Sequence, residues 1–128
     1  MKTYLAGPMR GITDFNFPKF HRVATHLRRI GFDVFSPAER DEKQHGADIS
    51  KSETGDLGEA VQKGFSLREA LAADMEFICL HAECIVMLDG WKTSKGATAE
   101  RATALALGLS VFYWDDVQGD VFLQDHSA

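Results

Sequence analysis

The sequence is poor in cysteine, short of positive charge and without a long apolar run. Cys79 and Cys84 are its only cysteines, too few for a secreted disulfide framework. A C-x4-C pair with His81 between its members has no second pair of ligands nearby and is a poor zinc signal. All three read as packing or surface residues, and no metal is expected. No stretch of 18 apolar residues occurs, which excludes a membrane-spanning helix. The N-terminus lacks a basic region followed by an apolar one, so the chain reads as cytoplasmic. Lysine and arginine number 14 against 19 acids, a net charge of −5. That deficit argues against a broad nucleic-acid footprint, and neither nucleic acid nor membrane is an expected partner. What is present is ordinary for one globular domain: 128 residues, 45% hydrophobic and 26% charged, enough to bury a core.

Thr3 to Ala6 reads as a buried first strand that ends at Gly7-Pro8. The turn Gly7 to Gly11 then lies at a strand's C-terminal end, where open α/β sheets bind ligands. Arg10 in that turn can meet a phosphate or carboxylate, or it is a surface arginine. Asp14 or Asn16 caps the first helix and Pro18 suits its first turn. Phe20, Val23, Ala24, Leu27 and Ile30 recur at helical spacing, and Gly31 stops the helix. Phe15 and Phe17 pack as core or contact a ligand. Phe32 to Phe35 is a second strand, parallel to the first through the intervening helix.

From about 39 to 65 the chain is charged, contains glycine and shows no apolar periodicity. It reads as a polar insert: a mobile loop over a site, a disordered segment or an oligomer contact. His45 and Asp48 are ligands there only in principle. Ser66 to Ile78 is a helix with a capping box from Ser66 and Glu69. Asp74 shares the spacing of Leu67, Leu71 and Ile78. It is either an inward carboxylate that needs a partner or a function, or an acid on a helix flank. Ala82 to Leu88 is an apolar third strand, as in a sheet covered on both faces. Leu109 to Trp114 is a fourth strand, and one more short strand or helix fits Val117 to Leu123. The tally predicts a small doubly wound α/β sandwich of three layers, Rossmann- or flavodoxin-like, with a parallel sheet of four to five strands.

The stretch from Leu88 to Leu107 carries the chemistry. A buried strand end passes into a turn with Gly90, Trp91, Ser94, Lys95 and Gly96, then into a helix with Glu100 about one turn in. Unpaired N–H groups and the helix dipole attract anions there and keep a nearby carboxylate ionised. Such a carboxylate acts as a nucleophile or charge stabiliser toward a sugar-like cation. The plainer reading is that Glu100 only complements the dipole.

Tyr4-Leu5-Ala6-Gly7-Pro8, Asp74 and Gly96-x-x-x-Glu100 resemble the nucleoside 2-deoxyribosyltransferases and the related nucleoside 5′-monophosphate N-glycosidases. The nearest pattern is that of a small bacterial and phage subgroup, DUF4406-like. It shares Gly7-Pro8-Met9-Arg10-Gly11, Asn16-Phe17-Pro18-Lys19-Phe20, Pro37-Ala38-Glu39 and the run from Gly90 through Leu109. The likeness covers most of Tyr4 to Val111 but not the central insert or the tail. Arg101 after the glutamate and the loop at Trp91 depart from the transferase pattern.

The resemblance implies cleavage or transfer at the N-glycosidic bond of a (deoxy)nucleoside or its 5′-monophosphate, without metal or organic cofactor. It makes Glu100 the nucleophile at C1′, Asp74 the residue that moves the proton of the leaving base, and Tyr4 the group that orients the nucleophile. Gly7, Met9, Arg10 and Gly11 border the sugar or its 5′ substituent; apart from the resemblance, Phe15 and Trp91 are further candidate substrate contacts. Ser94, Lys95 and Gly96 suit a 5′-phosphate. It also implies a homo-oligomer, a dimer or tetramer. The alternative is a nucleotide-binding or sensing module of the same fold without turnover.

Overall fold

A computed structural model describes residues 1–123, the side chains of Ala47 and Asp48 aside. Strands β1 (Lys2–Ala6), β2 (Asp33–Phe35), β3 (Cys84–Met87), β4 (Ser110–Asp115) and β5 (Asp120–Leu123) form one sheet in the order β2-β1-β3-β4-β5. The first four are parallel, with Tyr4 opposite Phe35 on one side and Ile85 on the other. β5 returns antiparallel to β4, with Trp114 opposite Val121. The expected all-parallel sheet is therefore corrected to a mixed one. The link from Asp115 to Asp120 is a short turn, held where Asp115 Oδ1 accepts from the N–H of Val117 and Gln118. So short a link can only make a hairpin, because a parallel return needs a crossover.

Helices α1 (Phe17–Arg29), α2 (Pro37–His45), α3 (Leu57–Gln62), α4 (Leu67–Leu80) and α5 (Lys95–Ala106) cover the sheet. The alternation of a strand sends Leu5, Val86 and Leu88 to one face, where they meet Phe17, Phe20, Val23, Ala24 and Leu27 of α1. Tyr4, Ala6, Ile85, Met87 and Val111 go to the other face, against Ile78 of α4 and Ala97 and Ala104 of α5. Burying a large apolar side chain of this kind contributes about 1.5–3 kcal/mol. Among the described residues no helix is long and apolar enough to cross a membrane.

Strand order reverses at β1, since β2 lies on one side of it and β3 on the other. A crevice opens at the C-terminal ends of strands at such a point. Gly7, the first residue past β1, lies against Leu88, where a Cβ would come within 2.7 Å of the leucine Cβ. Only glycine lets the two strand ends approach this closely.

The segment expected as a polar insert is built of helix: α2, a 3-10 turn at Ala47–Ser50, and α3. Ser36-Pro37 is a helix start, with Pro37 in the first turn. Asp41 lies on the inward side of α2 with Pro37 and Ala38, so no apolar stripe marks the helix. The loops at 11–14 and 52–55 clasp each other. Gly11 N–H donates to Gly55 O at 3.0 Å, and Asp14 N–H to Ser52 O at 2.5 Å. Asp14 Oδ1 accepts from Ser52 N–H at 3.0 Å.

Candidate active site

The crevice holds a cavity of about 590 Å³. One wall is the loop after β1, from Gly7 to Ile12. A second is the 37–65 segment, through Pro37, Arg40, Asp41, Ile49, Leu57, Ala60 and Phe65. The third is α4 with Ala70, Leu71 and Asp74, and the start of α5 with Ser94 through Ala97 and Glu100. The apolar side of the cavity is continuous with the α1 core cluster through Phe15, Phe17, Ile49 and Ala60. Its polar end lies on the opposite face of the sheet.

At that end four side chains from four elements meet. Tyr4 of β1 donates from its hydroxyl to Glu100 Oε2 at 2.7 Å. Asp74 of α4 lines the same end of the cavity, near enough for its charge to act on both Tyr4 and Glu100. Arg40 of α2 donates from Nη1 to Asp74 Oδ1 and to the Ala70 carbonyl at 2.9 Å. Glu100 is 5% exposed and Asp74 7%. Burial of the Glu100 carboxyl, then the charge of Asp74, push its pKa up to about 8. Burial lifts Asp74 to about 6, with Arg40 pulling it back. Tyr4 is raised well above its ordinary value by burial and by the Glu100 charge.

The expectation that the helix terminus keeps Glu100 ionised is corrected. Glu100 lies in the second turn of α5, which begins at Lys95, and the dipole effect fades within the first turn. Burial there opposes the ionised form. Lys95 and Gly96, the first residues of α5, line the cavity, and the Ala97 N–H donates to the Ser94 hydroxyl at 3.1 Å.

Of the expected contact residues, Gly7, Met9, Arg10, Gly11, Phe15, Ser94, Lys95 and Gly96 line the cavity. Trp91 does not. It lies beside a separate surface pocket with Tyr113, Trp114 and Phe122, its ring covered by the Arg101 guanidinium at 4.7 Å. Trp91 is the first residue of a 3-10 turn, Trp91–Thr93, which points the indole at β4 rather than at the β1 loop. Phe15 is both core and cavity wall, and it sits in a run of three left-handed residues, Asp14, Phe15 and Asn16. Neither Asp14 nor Asn16 caps α1 with its side chain. Asn16 Nδ2 donates instead to the Pro8 carbonyl at 3.0 Å, which ties the Asn-x-Pro motif to the Gly-Pro-Met loop. Glu39 lies outside the cavity and grips Arg28 of α1 at 2.6 Å and 2.5 Å. His45 stacks edge-on against Phe65, and the Asp48 side chain lies outside the described residues. Among the described residues no cluster of His, Cys, Asp and Glu has the arrangement of a metal site.

Sequence reasoning missed Arg40 and Asp41. The signal for their helix was present in Ser36-Pro37 with Glu39 two residues on.

Residues 1–113 match the family described as a domain of unknown function, DUF4406. The chain belongs to this family. The DUF4406 match spans every residue that lines the cavity, the 37–65 segment included, and stops within β4. No curated protein and no solved structure matches the chain.

Proposed function

We propose that this DUF4406 protein cleaves or transfers at the N-glycosidic bond of a (deoxy)nucleoside or nucleoside 5′-monophosphate, as its likeness to the nucleoside 2-deoxyribosyltransferases implies. The observation that carries the proposal is the buried Tyr4–Glu100–Asp74–Arg40 cluster at one end of a cavity wide enough for such a substrate. Retaining glycosidases keep two carboxyls about 5 Å apart and give them different protonation. The two carboxyls here have different partners, the Arg40 guanidinium at Asp74 and the Tyr4 hydroxyl at Glu100, which suits different protonation.

The chemistry runs in two balanced steps. Glu100 as carboxylate attacks C1′ while the C1′–N bond breaks. The bonding electrons leave with the base, which takes the proton of Asp74, and a glycosyl ester of Glu100 remains. Water or a second base then attacks C1′ and gives its proton to Asp74, and Glu100 leaves as carboxylate. The transition state is oxocarbenium-like, so a preorganised carboxylate beside C1′ lowers its energy. Arg10, Lys95 and the N–H groups that open α5 suit an anionic 5′ substituent.

A panel of ribo- and deoxyribonucleosides and their 5′-monophosphates, read by chromatography for free base, tests the proposal. Release that disappears in Glu100→Gln supports it, and an added acceptor base separates transfer from hydrolysis. No release from any member of the panel overturns it. The Arg40–Asp74 ion pair favours a second reading, a module that binds nucleotide without turnover; nucleotide-induced thermal stabilisation with no release selects that one. Exposed Leu105, Leu107, Phe122 and Leu123 support the dimer or tetramer that the resemblance implies. A monomer by light scattering at micromolar concentration counts against it.

A further inference from the structure

The Arg40 guanidinium is held on two sides. Nη1 donates to Asp74 Oδ1 and to the Ala70 carbonyl, while Nε and Nη2 donate to Asp41 Oδ1 at 3.1 Å and 2.6 Å. This fixes the cation against Asp41 and Asp74, and none of its bonds reaches Glu100. Were Asp41, Asp74 and Glu100 all ionised, one half-buried cation would face three buried carboxylates. Like charges gathered at one buried site disfavour each other's ionised forms, and Arg40 compensates the two aspartates directly but not Glu100. This favours a proton on one member of the Asp74–Glu100 pair. The cation stabilises an anion at Asp74, and a protonated Glu100 still accepts from the Tyr4 hydroxyl through its carbonyl oxygen. The groups that face the pair are Tyr4 from β1, and Arg40 and Asp41 from α2. His45 acts on Asp41, and Arg10 and Lys95 line the same cavity.

We infer that Arg40 is a positioning residue for the shared proton: by holding Asp74 as the anion, it leaves the proton on Glu100 while the cavity is empty. The elevated pKa of Glu100 and the smaller rise at Asp74 agree with this order. The placement of the proton stands on the cluster alone. Its meaning for turnover rests on the glycosidic reading. There, Glu100 becomes a nucleophile only when its proton passes to Asp74, which a substrate favours by bringing positive character to C1′ beside Glu100. Arg40 then keeps the nucleophile masked until the cavity is filled.

Carboxyl carbon NMR on the intact protein, labelled at Asp Cγ and Glu Cδ, tests the inference without any substrate. Asp74→Asn and Glu100→Gln identify the two signals. In the wild type the Glu100 signal titrates at higher pH than that of Asp74. Arg40→Met raises the Asp74 midpoint by about one pH unit or more, and Arg40→Lys, which keeps the charge, stays near the wild type. An Asp74 signal that titrates last in the wild type overturns the inference, and so do unchanged midpoints in a folded Arg40→Met. If Arg40→Met does not fold, the wild-type order decides. If base release is found, Arg40→Met also moves the basic limb of kcat/KM to higher pH by about one unit. Absence of release with the predicted titration order refutes the glycosidic reading and leaves the proton placement intact.

Discussion

Tyr4 and Glu100 are 96 positions apart and joined by a buried 2.7 Å hydrogen bond. The bond ties the first strand to the fifth helix at the polar end of the cavity. It also opposes the burial that protonates Glu100, since donation from Tyr4 lowers the carboxyl pKa. Tyr4→Phe removes only that donor. A hydrogen bond to a charged group is worth about 1.5–3 kcal/mol, so base release at neutral pH is expected to fall about 10- to 100-fold while circular dichroism stays the same. Undiminished release would remove Tyr4 from the site.

Glu100→Gln is expected to lower base release by on the order of 10³-fold or more and to leave the fold intact. An amide keeps the volume and accepts from Tyr4 but cannot form the glycosyl ester. Trapping of a sugar–protein adduct by mass spectrometry in the wild type, and its absence in the variant, checks the assignment.

Stability has a pH dependence with a defined sign. The folded pKa of Glu100, about 8, lies above the ordinary carboxyl value because the side chain is buried beside Asp74. The native state then holds a proton that the unfolded chain releases near pH 4.3. The contribution is fully present below that pH and is lost as pH rises toward 8. One proton gives a slope of up to about 1.4 kcal/mol per pH unit. Urea melts of Glu100→Gln should be flatter between pH 5 and 8 than those of the wild type. Parallel curves would place the proton elsewhere.

Gly55→Ala tests the clasp between the loops. Gly55 has φ +70°, and a Cβ there would lie 2.5 Å from Ile12 N and 2.7 Å from Gly11 N. A loss of about 1–3 kcal/mol is expected, several degrees in Tm for a domain of this size. Because Gly11 and Ile12 line the cavity, nucleotide affinity should weaken with it. A variant as stable as the wild type would show that the loops separate freely.

Trp91→Ala and Ser94→Ala separate two neighbours in the chain. Trp91 packs on Arg101 and Tyr113 outside the cavity, so its loss should lower Tm and leave nucleotide affinity within about two-fold. Ser94 caps α5 at the cavity wall, so its loss costs about 1 kcal/mol and should raise KM as well. Isothermal titration of both variants distinguishes them.

The strands, α1, α4 and α5 were legible because each carries its period and its punctuation. Ser66 and Glu69 begin α4 as their spacing predicts, and Gly108 follows α5. Asp74 stood out because a carboxylate among apolar positions contradicts its own helix. The 37–65 segment was illegible for the opposite reason. The inward side of α2 carries Asp41, with Arg40 bound beside it, so burial there leaves a charged pattern that resembles a solvated loop. The antiparallel return of β5 was not legible, because strand composition does not distinguish parallel from antiparallel pairing. The misplacement of Trp91 came from a 3-10 turn, which short polar sequences do not announce. The proton on Glu100 depends on contacts among four elements, and a one-dimensional pattern contains none of them.

The position of β1 between β2 and β3 has a consequence for synthesis. β1 and β2 can pair as soon as Phe35 has emerged, but the other edge of β1 waits for Cys84 to Met87. At about 5–20 residues per second the ribosome takes roughly 2–10 s to make the intervening chain. During that time an apolar strand edge, Thr3 to Ala6, is open to any passing strand. The nascent chain is thus most prone to aggregate before its third strand appears, and a chaperone that shields the first 40 residues should raise the yield more than one that acts after release.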